Sequence, residues 1–172
     1  MYSLRELARE DIKTINSWRN KKELIDNLGA PYRFITFDVD NIWYDNYLSS
    51  RNNTIRCAVV NKENKILGLV SLTNIDRINQ SAVLHIMIGD EEYRGKGVGT
   101  FAVSEMIEHA FYDMNLRRIE LSVLKDNIRA QALYKKIGFR TEGEKQEAVF
   151  KNGEFVNLYS MALLKSEYNF KR

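Results

Sequence analysis

The sequence predicts a mixed α/β (α+β) fold, a central sheet flanked by helices, and three observations support it. An apolar run of strand length, "AVLHIMI" at 82–88, leads into a glycine-rich turn and then an amphipathic stretch of helical period. A strand-like "RIELSVL" from Arg118 returns after that stretch, so strand, turn, helix and strand form one crossover unit. Elsewhere, apolar runs flank turn residues in the manner of hairpins.

In chain order, Leu4 to Leu7 reads as a first strand, and Asp11 caps a helix carrying Ile12, Ile15 and Trp18 at near-helical spacing. Asn27 to Thr36 is expected to be loop. Asp38 to Ser50 reads as a helix with Val39, Ile42, Trp43 and Tyr47 on one side, and Ile55–Val60 and Ile66–Leu72 bracket "NKENK" as hairpin strands. The unbroken apolarity of 82–88 predicts burial on both faces, in the middle of the sheet. Val103, Met106, Ile107, Ala110, Phe111 and Met114 mark the inner face of the next helix. A further helix begins near Asp126 or Asn127, turns Ala130, Leu133, Tyr134 and Ile137 inward, and stops at Gly138. Phe139 to Thr141 returns to the sheet, and Asn152-Gly153 makes a tight turn before the strand "FVNLYSMALL".

Composition bounds the function without naming it. With 26 Lys plus Arg against 23 Asp plus Glu, the excess of +3 is too small to mark a nucleic-acid or membrane surface. Cys57 is the single cysteine, which excludes an internal disulfide and a multi-cysteine zinc site, and its apolar neighbours favour a buried small hydrophobe over a nucleophile. The N-terminus lacks a cationic segment followed by an apolar one, and no apolar run approaches the roughly 18 residues of a membrane span. The expectation is one domain over residues 1–172, cytoplasmic, with no metal, nucleic-acid or membrane partner.

The chemistry concentrates in "YRGKGVGTF", Tyr93 to Phe101, where Gly95, Gly97 and Gly99 alternate before a helix. Bare amides at a helix start hold phosphate, and spacing separates the known kinds. A triphosphate P-loop needs four residues between its glycines and then Lys-Ser/Thr; here five separate Gly89 from Gly95, and Gly97 follows Lys96. A dinucleotide fingerprint needs glycine at 100, where Thr100 stands. A turn without ligand stays open on these residues alone.

Arg94-x-x-Gly97-x-Gly99 resembles the pyrophosphate-binding motif of the GCN5-related N-acetyltransferases (GNAT). "DNIRAQALYKKIGF", Asp126 to Phe139, is similar to that family's second segment, with Asn127, Ala130, Tyr134, Gly138 and Phe139 in register. The resemblance covers roughly Ile66 to Leu164, and the closing segment is similar to the subgroup of ribosomal-protein N-terminal, spermidine and amino-sugar acetyltransferases. It implies a mixed, mostly antiparallel sheet of about six to seven strands, acetyl-CoA as donor, and direct transfer to a primary amine of a small molecule or, alternatively, a protein N-terminus. A non-catalytic acyl-CoA-binding module is a third reading, and a monomer or homodimer is expected.

On that resemblance the donor is held by Arg94, Gly95, Lys96, Gly97, Val98, Gly99 and Thr100, by Asn127 and Ala130, and by the backbone of Ile86, Met87 and Ile88 where the next strand splays away. Arg94 and Lys96 are equally readable as solvated loop cations. Tyr134 would protonate the departing thiolate, a buried structural tyrosine being the alternative. Trp18, Arg19, Tyr32, Arg33 and Trp43 would line the acceptor side, although both tryptophans also read as helix anchors. His85 reads as a packed core histidine, and none of His85, His109, Glu120 and Glu142 stands out as a base.

Overall fold

Backbone pairing joins Tyr2–Glu6 (β1), Ile55–Asn61 (β2), Ile66–Asp76 (β3), Ser81–Ile88 (β4), Arg118–Leu124 (β5), Arg140–Lys151 (β6) and Glu154–Leu164 (β7) into one sheet. The order is β1-β2-β3-β4-β5-β7-β6, seen in a computed structural model that describes residues 1–170. All neighbours are antiparallel except β4 and β5. That parallel pair requires the crossover, which passes through Val98–Glu108 (α4) and a π-turn at His109–Asp113.

Each face of the sheet carries a core. On one, Val59, Val70, Leu72, Leu84, Ile119 and Leu121 pack against α4 (Ala102, Val103, Met106, Ile107) and against Ile128–Ile137 (α5) through Leu133 and Tyr134. On the other, Ala58, Val60, Ile66 and Leu69 meet Ile12–Arg19 (α1), Lys22–Ile25 (α2) and Phe37–Ser49 (α3) through Ile15, Trp18, Leu24, Tyr44 and Tyr47.

One sequence expectation gains a neighbour and three change. Asn27 to Thr36 is loop, but the short helix α2 stands just before it, stabilised by the i,i+4 pair Lys22–Asp26 at 2.6 Å. In α3 the buried side is Asp40, Tyr44 and Tyr47, whereas Val39 and Ile42 face water. Asp40 turns the helix because a fully buried carboxylate must meet its donors, here Asn16 Nδ2 at 2.7 Å and Arg19. β6 runs to Lys151 instead of ending near Thr141; its polar "EGEKQE" is an exposed edge strand with two register shifts, a pattern that blunts strand addition. Finally, β4 is not buried on both faces: His85 is exposed and Ile86, Met87 and Ile88 are half-buried.

The reason for that last change positions the site. β4 pairs with β5 only through Ser81–Arg118, Ala82–Ile119 and Val83–Glu120. Beyond Val83 the strands part, leaving a fork between Leu84–Ile88 and Leu121–Leu124.

Candidate active site

The glycine loop is built in two ways. Gly95 and Gly97 both have φ of 82°, the left-handed region where a Cβ is strained, and nothing stands within 4 Å of a Cβ added at Gly97. Gly99 is different. Its Cβ would lie 2.9 Å from Leu133 Cδ1 and about as far as ordinary contact from Ile88 and Ile86, so Gly99 lets α4, α5 and the forked end of β4 converge. Gly99 thus has a packing reason for its missing Cβ that Gly97 lacks.

Gly97 caps α4, and Phe101 N donates to its carbonyl at 2.9 Å. Among the described residues the N–H groups of Gly95, Gly97, Val98, Gly99 and Thr100 donate to no protein acceptor; only Lys96 N in this stretch is engaged, with Tyr93 O at 3.3 Å. Val98 buries its side chain, so its amide alone is offered. Arg94 turns inward rather than into solvent: its Nε donates to Ile88 O at 3.4 Å, and its buried Nη2 has no hydrogen-bond partner. Lys96 lies over the Tyr93 ring, 5.3 Å from the centroid. Sequence reasoning missed Arg129, whose Nη2 reaches to 3.1 Å of the Cβ position of Gly95 from the first turn of α5.

Asn127 and Ala130 form a cap. Asn127 Oδ1 accepts from Ala130 N at 3.0 Å, and its Nδ2 donates to Asn27 O at 2.9 Å, so these polar groups are bonded within the protein. Tyr134 sits one residue after Leu133 and is 8% exposed, with its ring edge-on to Phe139 at 5.8 Å. No hydrogen bond among the described residues holds its hydroxyl. Burial pushes its pKa up to about 12, so the phenol keeps its proton at neutral pH.

On the opposite face of the fork, Arg56, Ser71 and His85 are lateral neighbours across β2, β3 and β4. The row ends at the first outward-facing position beyond the last β4–β5 pair. His85 Nε2 bonds Thr73 Oγ1 at 2.9 Å, which corrects its reading as a core residue. Crowding of the ring by protein, and secondarily the Arg56 charge, hold its pKa below the usual 6.5. Arg56 stacks over Trp43 at 4.6 Å and has no carboxylate partner among the described residues; its Nε is buried and unpaired. Arg19 also lies over Trp43, at 5.6 Å, but is tied to Asp40.

Of the other acceptor candidates, Trp18 is buried, and a Cβ at Gly89 would fall inside its ring, so it supports the end of β4 from below and presents no free face. Tyr32 is half-buried with its hydroxyl on Asn20 O at 3.2 Å, and Arg33 is exposed. Cys57 is half-buried, and burial pushes its thiol up to about 11, away from nucleophile behaviour. Among the described residues no helix is long and apolar enough to cross a membrane, and no cluster of His, Cys, Asp or Glu could hold a metal.

Residues 3–140 match the family model of the acetyltransferase (GNAT) domain. The chain belongs to the GNAT acetyltransferase family. Spermidine N(1)-acetyltransferase of Vibrio cholerae serotype O1 is 30% identical over 167 residues, spanning 96% of this chain and 94% of that protein. The Escherichia coli K12 enzyme of the same name is 30% identical over 166 residues, with 96% and 87% covered. The crystal structure of the V. cholerae spermidine N-acetyltransferase in complex with CoA and spermine superposes with a TM-score of 0.91 at 29% identity, covering 97% of each chain.

This GNAT member is an N-acetyltransferase that uses acetyl-CoA. The residues present fit that donor. The free amides of the loop, the open space beside Gly97 and the orphaned Nη2 of Arg94 all suit an anionic phosphate group at a helix start.

Proposed function

We propose that this GNAT enzyme acetylates a polyamine-type primary amine by direct transfer, with donor and acceptor meeting in the fork from opposite faces of the sheet. The observation that carries this reading is the convergence at Gly99 of the α4 amide cluster, the open end of β4 and the helix bearing Tyr134. Acetyl-CoA supplies the electrophilic thioester carbonyl and a thiolate leaving group.

The chain's own residues then have distinct tasks. Amides from Gly95 to Thr100 bind phosphate, with Arg94, Lys96 and Arg129 adding charge-assisted contacts. The unpaired edge of Leu84 to Ile88 orients the donor arm beside β4. Tyr134 gives its proton to the departing sulfur, a task suited to a phenol that stays protonated.

The attacking amine must be neutral. For a lysine-like amine, pKa about 10.4, deprotonation at pH 7 costs about 4.6 kcal/mol. Water carries that proton away, and His85, neutral at this pH and placed on β4 just beyond its last pair with β5, receives it. The remaining ammonium groups of a polyamine need anionic company. At the apex of the fork Glu120 and Glu142 share Arg118, at 3.2 and 2.5 Å, and two carboxylates around one guanidinium leave one negative charge. The likeness to spermidine acetyltransferases supports the same acceptor class.

Arg56 favours a second reading, since a guanidinium without a carboxylate partner among the described residues, stacked on Trp43, suits an acceptor bearing an anionic group, such as an amino-sugar phosphate. Thiol release measured with spermidine, spermine, an amino-sugar phosphate and an N-terminal peptide separates these. The polyamines are expected to have the highest kcat/KM; a preference for the sugar phosphate or the peptide would replace this reading.

A further inference from the structure

Lys151 closes β6 immediately before the Asn152-Gly153 turn, a place where a lysine ordinarily points its ammonium into water. Here it is only 9% exposed, and its Nζ donates to the carbonyls of Ile25 at 2.9 Å, Leu28 at 2.6 Å and Ala30 at 2.7 Å. Three carbonyls match the ammonium's three donors. Among the described residues it forms no salt bridge, so these bonds carry most of the compensation for burying the charge, helped by the more distant Asp26 carboxylate.

The three carbonyls belong to the end of α2 and the segment 26–36 that leads to α3. That segment crosses the fork. On the β4 side, Asn20 fixes its far end, accepting from Ile35 N at 3.0 Å and donating to Ile35 O at 2.8 Å. On the β5 side, Asn27 O is held by Asn127, and Gly29 lies against Leu158, the β7 partner of Leu124 at the open end of β5. Lys151 holds the stretch between them, and Lys22 reinforces it through Asn152.

We propose that Lys151 is a positioning residue for the acceptor: its ammonium pins segment 26–31 as a strap across the acceptor side of the fork. The inference rests on the acceptor entering from the α1/α3 face, as proposed above. It assigns a buried charge that the transfer chemistry itself does not use.

Hydrogen–deuterium exchange and steady-state kinetics of Lys151→Met test it. Exchange of residues 26–31 is expected to accelerate at least tenfold, and the spermidine KM to rise about tenfold. The acetyl-CoA KM and the kcat at saturating spermidine should stay within about twofold. Lys151→Gln, which keeps two donors, is expected to recover part of both effects, and it carries the comparison if the Met variant does not fold. Unchanged exchange in 26–31, an acceptor KM that does not move, or equal losses for donor and acceptor would each overturn the proposal. Should spermidine prove not to be a substrate of the unmodified enzyme, only the acceptor assignment falls, because the exchange measurement needs no acceptor.

Discussion

Leu133 Cδ1 lies 2.9 Å from the place where a Cβ on Gly99 would stand, so the helix that offers amides and the helix that carries Tyr134 touch through bare backbone. Gly99→Ala must push Leu133 aside or separate α4 from α5. We expect a loss of about 1–3 kcal/mol, the usual cost of overpacking, measured by denaturant unfolding. A variant as stable as the parent would show that the contact yields freely.

Gly97 poses a different constraint, since its surroundings are open and only its φ of 82° resists a side chain. Gly97→Glu should cost about 1–2 kcal/mol of stability through backbone strain. It should weaken coenzyme A binding far more, at least tenfold, by placing a carboxylate among the free amides. Titration calorimetry with coenzyme A checks this, and unchanged affinity would remove the loop from the donor site.

Tyr134→Phe keeps the ring and its packing on Phe139 while deleting a hydroxyl that no protein group holds. The expected outcome is a fall in kcat of about 10²–10⁴ with coenzyme A affinity and melting temperature unchanged. Because burial places this phenol at about 12, its ionisation contributes no alkaline loss of activity below pH 10. Full activity in the Phe variant would return Tyr134 to a structural role.

The pH profile has a definite sign. In the proposed mechanism His85 accepts a proton in its neutral form, and its pKa is held below 6.5, so its contribution is present above that lowered value and lost as pH falls through it. Deprotonation of the amine makes kcat/KM rise further toward alkaline pH. His85→Gln is expected to lower kcat/KM and to remove the extra steepening at acidic pH, leaving only the slope set by the amine itself. Steepening beyond the amine's own slope that survives the substitution would assign the proton to another group.

Asp40 is fully buried and holds Arg19 and Asn16 together, which fixes α3 against α1. Asp40→Ala should cost about 3 kcal/mol, at the low end for a broken buried pair because Arg19 remains partly solvated. Thermal unfolding would register it as a clear drop in melting temperature.

Much of this was legible in the sequence because it is written in local signals. Positive φ at Gly95, Gly97, Gly138, Asn152 and Gly153 falls where glycine or Asn-Gly stood in turn or cap positions. The crossover and its helix followed from apolar period. The fork did not, because the departure of β4 from β5 after Val83 depends on pairing between distant segments, and "AVLHIMI" carries no mark of it. β6 was obscured for the opposite reason: an edge strand with polar residues on both faces has no apolar alternation to read. Arg56, Arg129 and Lys151 acquire their roles only from what the fold brings beside them, since a lone cation in a sequence looks solvated.

The fork also has a thermodynamic meaning. Sheet backbone that lacks a neighbouring strand gains partners only when something lies alongside it, so a donor seated there acts as a rung the polypeptide does not supply. Its binding free energy is then folding free energy: at a hundred times its dissociation constant, acetyl-CoA would add about 2.7 kcal/mol to the native state. The enzyme's thermal tolerance should therefore track the cell's supply of charged donor.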